Sequence, residues 1–286
     1  MVIKSQTLNP SIFTQVFKGK EHQPFALAGG QPAALLVHGF PGTPAEMLPL
    51  AQVLNHAGWT VKGLLLPGFG PQIDTLFERS YSDWVEAIKA ELLTLKQKHN
   101  PLLLGGFSMG GALSINVAAT ESVDGLLLMA PFWKMSGPFW GLLPIFRLFF
   151  PVIHPYRLMH IDYSNPEVRK GMIKLMPKVD LDDPAVQAGI HNLPVPTSII
   201  EEIRQLGRRT WQLTPQVKTK TLILQGSQDK IVKPHHTRQL VNRIQANKQY
   251  YEVNTGHDIP DSTNPAWSEV VREILLFSQE LANLKG

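Results

Sequence analysis

Three polar residues far apart in the chain could together activate a hydroxyl group. Gly106-Phe107-Ser108-Met109-Gly110 fits the pattern G-x-S-x-G. A serine at the centre of that pattern becomes a nucleophile when it stands on a tight strand-to-helix turn, which lifts the hydroxyl clear of the sheet. Strand and helix then pass so closely that a side chain at either flanking position would clash, which accounts for Gly106 and Gly110. The helix that follows also offers its N-terminal dipole to developing negative charge. A serine hydroxyl is a poor nucleophile near neutral pH and needs a base. His257, in Asn254-Thr255-Gly256-His257-Asp258, could take its proton and return it to the leaving group. Asp229, in Ser227-Gln228-Asp229-Lys230, could hold the imidazole tautomer and stabilise its cation.

Each element alone has a plainer reading. The pentapeptide could be a glycine-rich turn with an incidental serine, Asp229 a solvated turn residue, and His257 a surface histidine. It is their placement together that carries the chemistry. Two backbone N–H groups complete it: that of Met109, directly after the serine, and one from the loop His38-Gly39-Phe40, assigned to Phe40. His38 is either a second candidate base or a brace for that loop. Asp258 and Asp124 are rival acids, and His154, His160, His191, His235 and His236 are rival bases.

The elements that must position these groups follow from the pattern. Short apolar runs alternate with helical periodicity, the signature of a mostly parallel sheet flanked by helices. Strands are expected over 33–37, 60–66, 102–106, 125–130, 219–226 and 249–253. Thr43-Pro44 reads as the start of a helix that stops at Gly58. Asp83 and Glu86 have capping-box spacing ahead of a helix bearing Val85, Ile88, Leu92 and Leu95. Another helix opens at Ser108, and a last one covers about 265–284. Strand grammar breaks over 132–215, which is rich in proline and bulky apolar clusters. An insert between two strands of a regular sheet reads as a cap. The expected organisation is therefore a core of 1–131 with 216–286, and a mainly helical cap of 132–215.

Composition narrows the function. The chain has 286 residues, 43% of them hydrophobic, and a net charge of +4. That charge is scattered, with no Lys/Arg block suited to nucleic acid. The absence of cysteine removes disulfides, thiolate metal sites and thiol nucleophiles. HExxH, the phosphate-loop pattern and the dinucleotide fingerprint are all missing, so no metal or cofactor is expected. Residues 1–20 lack the charged-then-apolar pattern of a secretory leader, which makes a cytoplasmic location the default expectation. The most apolar stretch, 137–155, carries Arg147 and several prolines and suits a buried or interfacial helix better than a membrane span.

The segments LLVHGFPGTP, LPGFG, GGFSMGG, QGSQDKIV and NTGHDI occur together. In them the chain resembles the small carboxylesterases and monoacylglycerol lipases of the α/β-hydrolase superfamily. The resemblance covers the two ends of the core and not the insert. It implies an α/β-hydrolase fold, a catalytic triad of Ser108, Asp229 and His257, and oxyanion amides at Phe40 and Met109. It also implies hydrolysis of a small-molecule or lipid ester. Other triad chemistry (thioester cleavage, acyl transfer, C–C hydrolysis) and a non-catalytic small-molecule receptor remain the alternatives. The apolar cap residues Phe132, Trp133, Phe139 and Trp140 are candidates to line an acyl site, to touch a lipid surface, or simply to pack the cap on the core.

Overall fold

The computed structural model describes residues 17–135, 137, 139–175 and 179–283. The strands are β1 (Phe25–Leu27), β2 (Ala33–Val37), β3 (Thr60–Leu64), β4 (Leu102–Phe107), β5 (Gly125–Met129), β6 (Val152–Ile153), β7 (Val195–Pro196), β8 (Lys220–Gly226) and β9 (Lys248–Val253). The α-helices are α1 (Leu48–His56), α2 (Tyr81–Lys96), α3 (Met109–Ala118), α4 (Phe139–Phe149), α5 (Pro166–Leu175), α6 (Pro184–His191), α7 (Thr197–Leu213), α8 (Pro234–Val241) and α9 (Trp267–Asn283).

Among the described residues the main sheet has seven strands in the order β1-β3-β2-β4-β5-β8-β9. Only β1 is antiparallel to its neighbour. The other ladders are parallel. Strands β2, β4 and β5 are buried along their whole length, because helices cover both faces of the sheet. The chain runs from β2 outward to β3, then returns to place β4 on the other side of β2. The strand order therefore reverses between β2 and β4, and sites of open α/β sheets gather at the carboxyl ends flanking such a reversal. The loop His38-Gly39-Phe40 leaves one of those ends and Ser108 leaves the other.

Helix α3 is buried at every position, which fits its lack of a polar face. It lies between the sheet and helices α2 and α7. The expected cap on α2 is set one turn earlier in the structure. Ser80 is the N-cap, its hydroxyl accepts from the Asp83 N–H, and Asp83 answers the Ser80 N–H. Thr43 does start a helical turn, over Pro44–Met47, which runs into α1. Its hydroxyl bonds His22 Nδ1 at 3.0 Å instead of capping.

The segment 132–215 holds α4 to α7 and the short antiparallel pair β6–β7, which sequence periodicity does not reveal. Ile199 and Leu206 of α7 join the main core, and Asn116 of α3 donates to Thr210 of α7 at 2.8 Å. A smaller apolar cluster of Leu181, Val186 and Ile190 forms within the insert, joined by Phe17.

Candidate active site

The turn after β4 supplies the first group. Ser108 has φ 53° and ψ −114°, a left-handed conformation that a non-glycine residue adopts only when its surroundings enforce it. The enforcement is visible in the packing. A Cβ on Gly106 would strike the Gly110 carbonyl and the Ser114 hydroxyl. One on Gly110 would strike the carbonyls of Val37 and His38. Strand β4, helix α3 and the end of β2 thus meet at backbone distance around Ser108.

The second and third groups come from the ends of β8 and β9. A Cβ on Gly226, the last residue of β8, would strike the Gly256 carbonyl, so the loop carrying His257 lies directly over the loop carrying Asp229. His257 Nδ1 is 2.6 Å from Asp229 Oδ2. His257 Nε2 is 3.0 Å from Ser108 Oγ. An ionised carboxylate only accepts, so Nδ1 carries the proton and Nε2 is left to accept from the serine hydroxyl. The Phe107 ring packs against the imidazole with centroids 4.9 Å apart.

Asp229 is 4% exposed, and both of its oxygens are occupied. Oδ1 accepts from the N–H groups of Ile231 at 2.8 Å and Val232 at 2.9 Å. Oδ2 accepts from His257 and, at 3.3 Å, from the Gln225 side chain. Gln225 is fully buried in β8. Its amide also donates to the Val232 carbonyl, and its oxygen accepts from Thr237 at 2.6 Å. No sequence motif assigns Gln225 a role; its signal is a polar residue in a buried strand, four places before an acid in the next turn.

The rival residues are engaged elsewhere. Asp258 accepts from the Thr255 hydroxyl at 2.6 Å, and Asp124 from the Leu102 N–H at 2.8 Å. His38 braces its loop. Its Nε2 accepts from the Leu66 N–H at 3.3 Å, so its Nδ1 is the donor to the Gly39 carbonyl at 2.8 Å. Burial holds its pKa down to about 4, against a weaker upward pull from the Gly39 bond. His235 and His236 belong to α8 and pack on each other at 4.2 Å.

Gly39 sits beside the serine, since a Cβ there would lie 3.3 Å from that of Ser108. Among the described residues, the N–H groups of Phe40 and Met109 donate to no other protein group. Phe132 follows β5, and its N–H donates to the Ser108 carbonyl at 3.1 Å. Its ring meets Trp140 edge-on at 5.9 Å. Trp133 is committed to packing. It stacks on Trp211 at 4.3 Å and donates its indole N–H to the His236 carbonyl at 2.8 Å. The Phe139 side chain lies outside the described residues. Among the described residues no cluster of His, Asp and Glu could hold a metal ion. No described helix is long and apolar enough to cross a membrane.

The match to known proteins covers the same elements. The family model Hydrolase_4, described as serine aminopeptidase S33, matches residues 31–259. The chain is 38% identical over 96 residues to the thermostable monoacylglycerol lipase of Bacillus sp. (strain H-257), a stretch of 34% of this chain and 38% of that protein. It is 30% identical over 108 residues to a carboxylesterase of Bacillus subtilis (strain 168), covering 37% and 44%. Each match spans less than half of the relative's length. Among solved structures, one of the metagenome-derived lipolytic enzymes LipS and LipT superposes with a TM-score of 0.69 at 23% identity, over 91% of this chain and 98% of that one. The monoacylglycerol lipase of Paleococcus ferrophilus gives 0.66 at 20%, over 89% and 98%. These likenesses establish the fold. Since the family model runs from before β2 to just past His257, the chain belongs to Hydrolase_4, a family of the α/β-hydrolase fold.

Proposed function

We propose that this protein hydrolyses carboxylic esters through an acyl-enzyme on Ser108. The observation that supports this most is the imidazole of His257 bridging Ser108 Oγ and Asp229 Oδ2 at 3.0 and 2.6 Å. In the first half-reaction Oγ attacks the ester carbonyl while Nε2 takes its proton. Asp229 stays ionised and stabilises the imidazolium. The N–H groups of Phe40 and Met109 receive the carbonyl oxygen as it becomes an oxyanion. The imidazolium then protonates the departing alkoxide. Water repeats the sequence on the acyl-enzyme, and Ser108 is restored as the acid leaves.

The acyl chain would run beneath the segment 132–215, with Phe132 beside the serine. The bulky apolar residues of this cap favour medium or long acyl groups. Hydrolysis of p-nitrophenyl esters and 1-monoacylglycerols of rising chain length tests this. Turnover should rise from acetyl to medium or long chains and vanish in Ser108→Ala. A sharp preference for acetyl esters counts against the acyl site.

The same cap supports contact with a lipid surface. Most of the exposed large apolar side chains among the described residues fall in residues 135–173. Leu142, Ile145, Leu148 and Phe149 form one stripe on α4, with Leu148 76% and Phe149 73% exposed. Between Asp124 and Asp162 there is no acidic residue, while Lys134, Arg147 and Arg157 are present. An apolar stripe with cations only suits an anionic lipid surface.

A further inference from the structure

Phe40 can serve the oxyanion only if its N–H points at the space beside Ser108, and a glycine before it leaves that direction undetermined. Two peptide planes meet at Gly39, and side-chain contacts hold both. In the plane joining His38 to Gly39, the Gly39 N–H donates to Glu46 Oε2 at 3.1 Å. The carbonyl of that plane, on His38, is seated against Gly110. In the plane joining Gly39 to Phe40, the carbonyl accepts from His38 Nδ1 at 2.8 Å. A trans peptide sets its N–H opposite its carbonyl, so fixing the Gly39 carbonyl directs the Phe40 N–H to the other side.

Glu46 is suited to this clamp by its own setting. It lies in the helical turn Pro44–Met47 that follows the loop, and its N–H donates to the Thr43 carbonyl at 3.0 Å. Its carboxyl group fills the place that a side chain on Gly42 would take. Gly42 is buried and has no positive φ, so its glycine answers to the space Glu46 needs and not to an unusual backbone angle. A charge-assisted bond to an amide is stronger than a neutral one and resists the pull of water on a half-buried loop.

We propose that Glu46 is a positioning residue for the reaction, holding Gly39 so that Phe40 presents its N–H to the oxyanion, with Gly42 keeping room for the carboxylate. The proposal rests on the ester-hydrolase reading above. Removing an oxyanion donor outright costs about 10²–10³ in rate, so misaiming one in Glu46→Ala should lower kcat by roughly 10–100-fold with KM little changed. Glu46→Gln keeps an acceptor oxygen and should retain most of the rate. Gly42→Ala, which leaves the carboxylate in the chain but displaces it, should lower kcat in the wild type and add little to Glu46→Ala.

The deciding readout is the affinity of an alkyl trifluoromethyl ketone, which forms the tetrahedral oxyanion on the serine. Across wild type, Glu46→Ala, Glu46→Gln and Gly42→Ala, its binding constant should fall in proportion to kcat/KM. Ketone affinity unchanged while kcat drops, or kcat unchanged in both Glu46→Ala and Gly42→Ala, overturns the proposal. A wild type that neither turns over esters nor binds the ketone overturns the ester-hydrolase reading, and this proposal with it.

Discussion

His257 Nε2 stands 3.0 Å from the Oγ of Ser108, a residue 149 positions earlier in the chain. Nothing local brings them together. The contact exists because β4 and β9, on opposite sides of β5 and β8, end at the same rim of a parallel sheet. Any change that moves one strand end relative to the other should therefore be read out as lost turnover before it is read out as lost structure.

The acid and its support should separate cleanly. Asp229→Asn keeps the shape but favours the wrong imidazole tautomer, and it should lower kcat by about 10⁴-fold. Gln225→Leu leaves the Thr237 hydroxyl and the Val232 carbonyl without their partner and takes one donor from Asp229. It should cost roughly 1–3 kcal/mol of stability per group left unpaired, with a smaller loss of kcat than Asp229→Asn. Urea unfolding beside steady-state kinetics tests both.

The tight turn should not tolerate a methyl group. Gly106→Ala drives its Cβ into the Gly110 carbonyl and the Ser114 hydroxyl. Overpacking of this kind costs about 1–3 kcal/mol, and here the shift lands on Ser108. A lowered melting temperature together with near-complete loss of ester turnover is expected. A stable, active Gly106→Ala would show that strand and helix are not in the contact described.

Acid should destabilise the fold through His38. Its pKa is held down to about 4 by burial, below the ordinary value of 6.5. As pH falls from 6.5 to 4, the unfolded chain takes up a proton that the folded chain refuses, so stability falls through that window. At about 1.4 kcal/mol per pKa unit, the loss from this residue reaches roughly 3 kcal/mol. His236, likewise held down to about 4, chiefly by burial and then by the charges of His235, Lys134 and Lys233, steepens the same slope. Denaturant unfolding at pH 7 and pH 4.5 should show a clearly smaller difference for His38→Gln than for the wild type.

The segment 132–215 should bind anionic vesicles. Leu148 and Phe149 protrude from α4 beside the exposed Arg147. Wild type should sediment with vesicles containing phosphatidylglycerol and bind pure phosphatidylcholine less, with added salt weakening the difference. Leu148→Glu with Phe149→Glu should abolish sedimentation while leaving hydrolysis of a soluble short-chain ester intact. Equal binding to both vesicle types, or none, contradicts the charge and apolar arguments respectively.

The parts of this molecule that read directly from sequence are those buried on both sides. Strands β2, β4, β5 and β8 have central apolar runs because helices cover both sheet faces, and β2, β4 and β8 lead into glycine-bearing turns with a chemically distinctive residue. Strand β1 escaped because it has only three residues at an edge, Phe25 and Leu27 half-buried and Ala26 exposed, too few to show alternation. Gln225 and Glu46 escaped for another reason. One is a lone amide in a strand and the other an acid in a first helical turn, and neither type is distinctive until the fold turns its partners, 4 to 12 residues away, back against it. The segment 132–215 was legible only as an interruption of the strand pattern. Its helices are broken by proline and its apolar residues face outward as well as inward, so periodicity there does not separate a core face from an exposed one.

The transfer of the Ser108 proton to His257 is tested most directly by labelling with a fluorophosphonate, which reacts with an activated serine. Wild type should be modified rapidly at Ser108, as located by mass spectrometry, Ser108→Ala not at all, and His257→Ala slower by about 10⁴-fold or more, matching its loss of kcat. A label carried on a different residue, or an undiminished labelling rate in His257→Ala, would contradict the account.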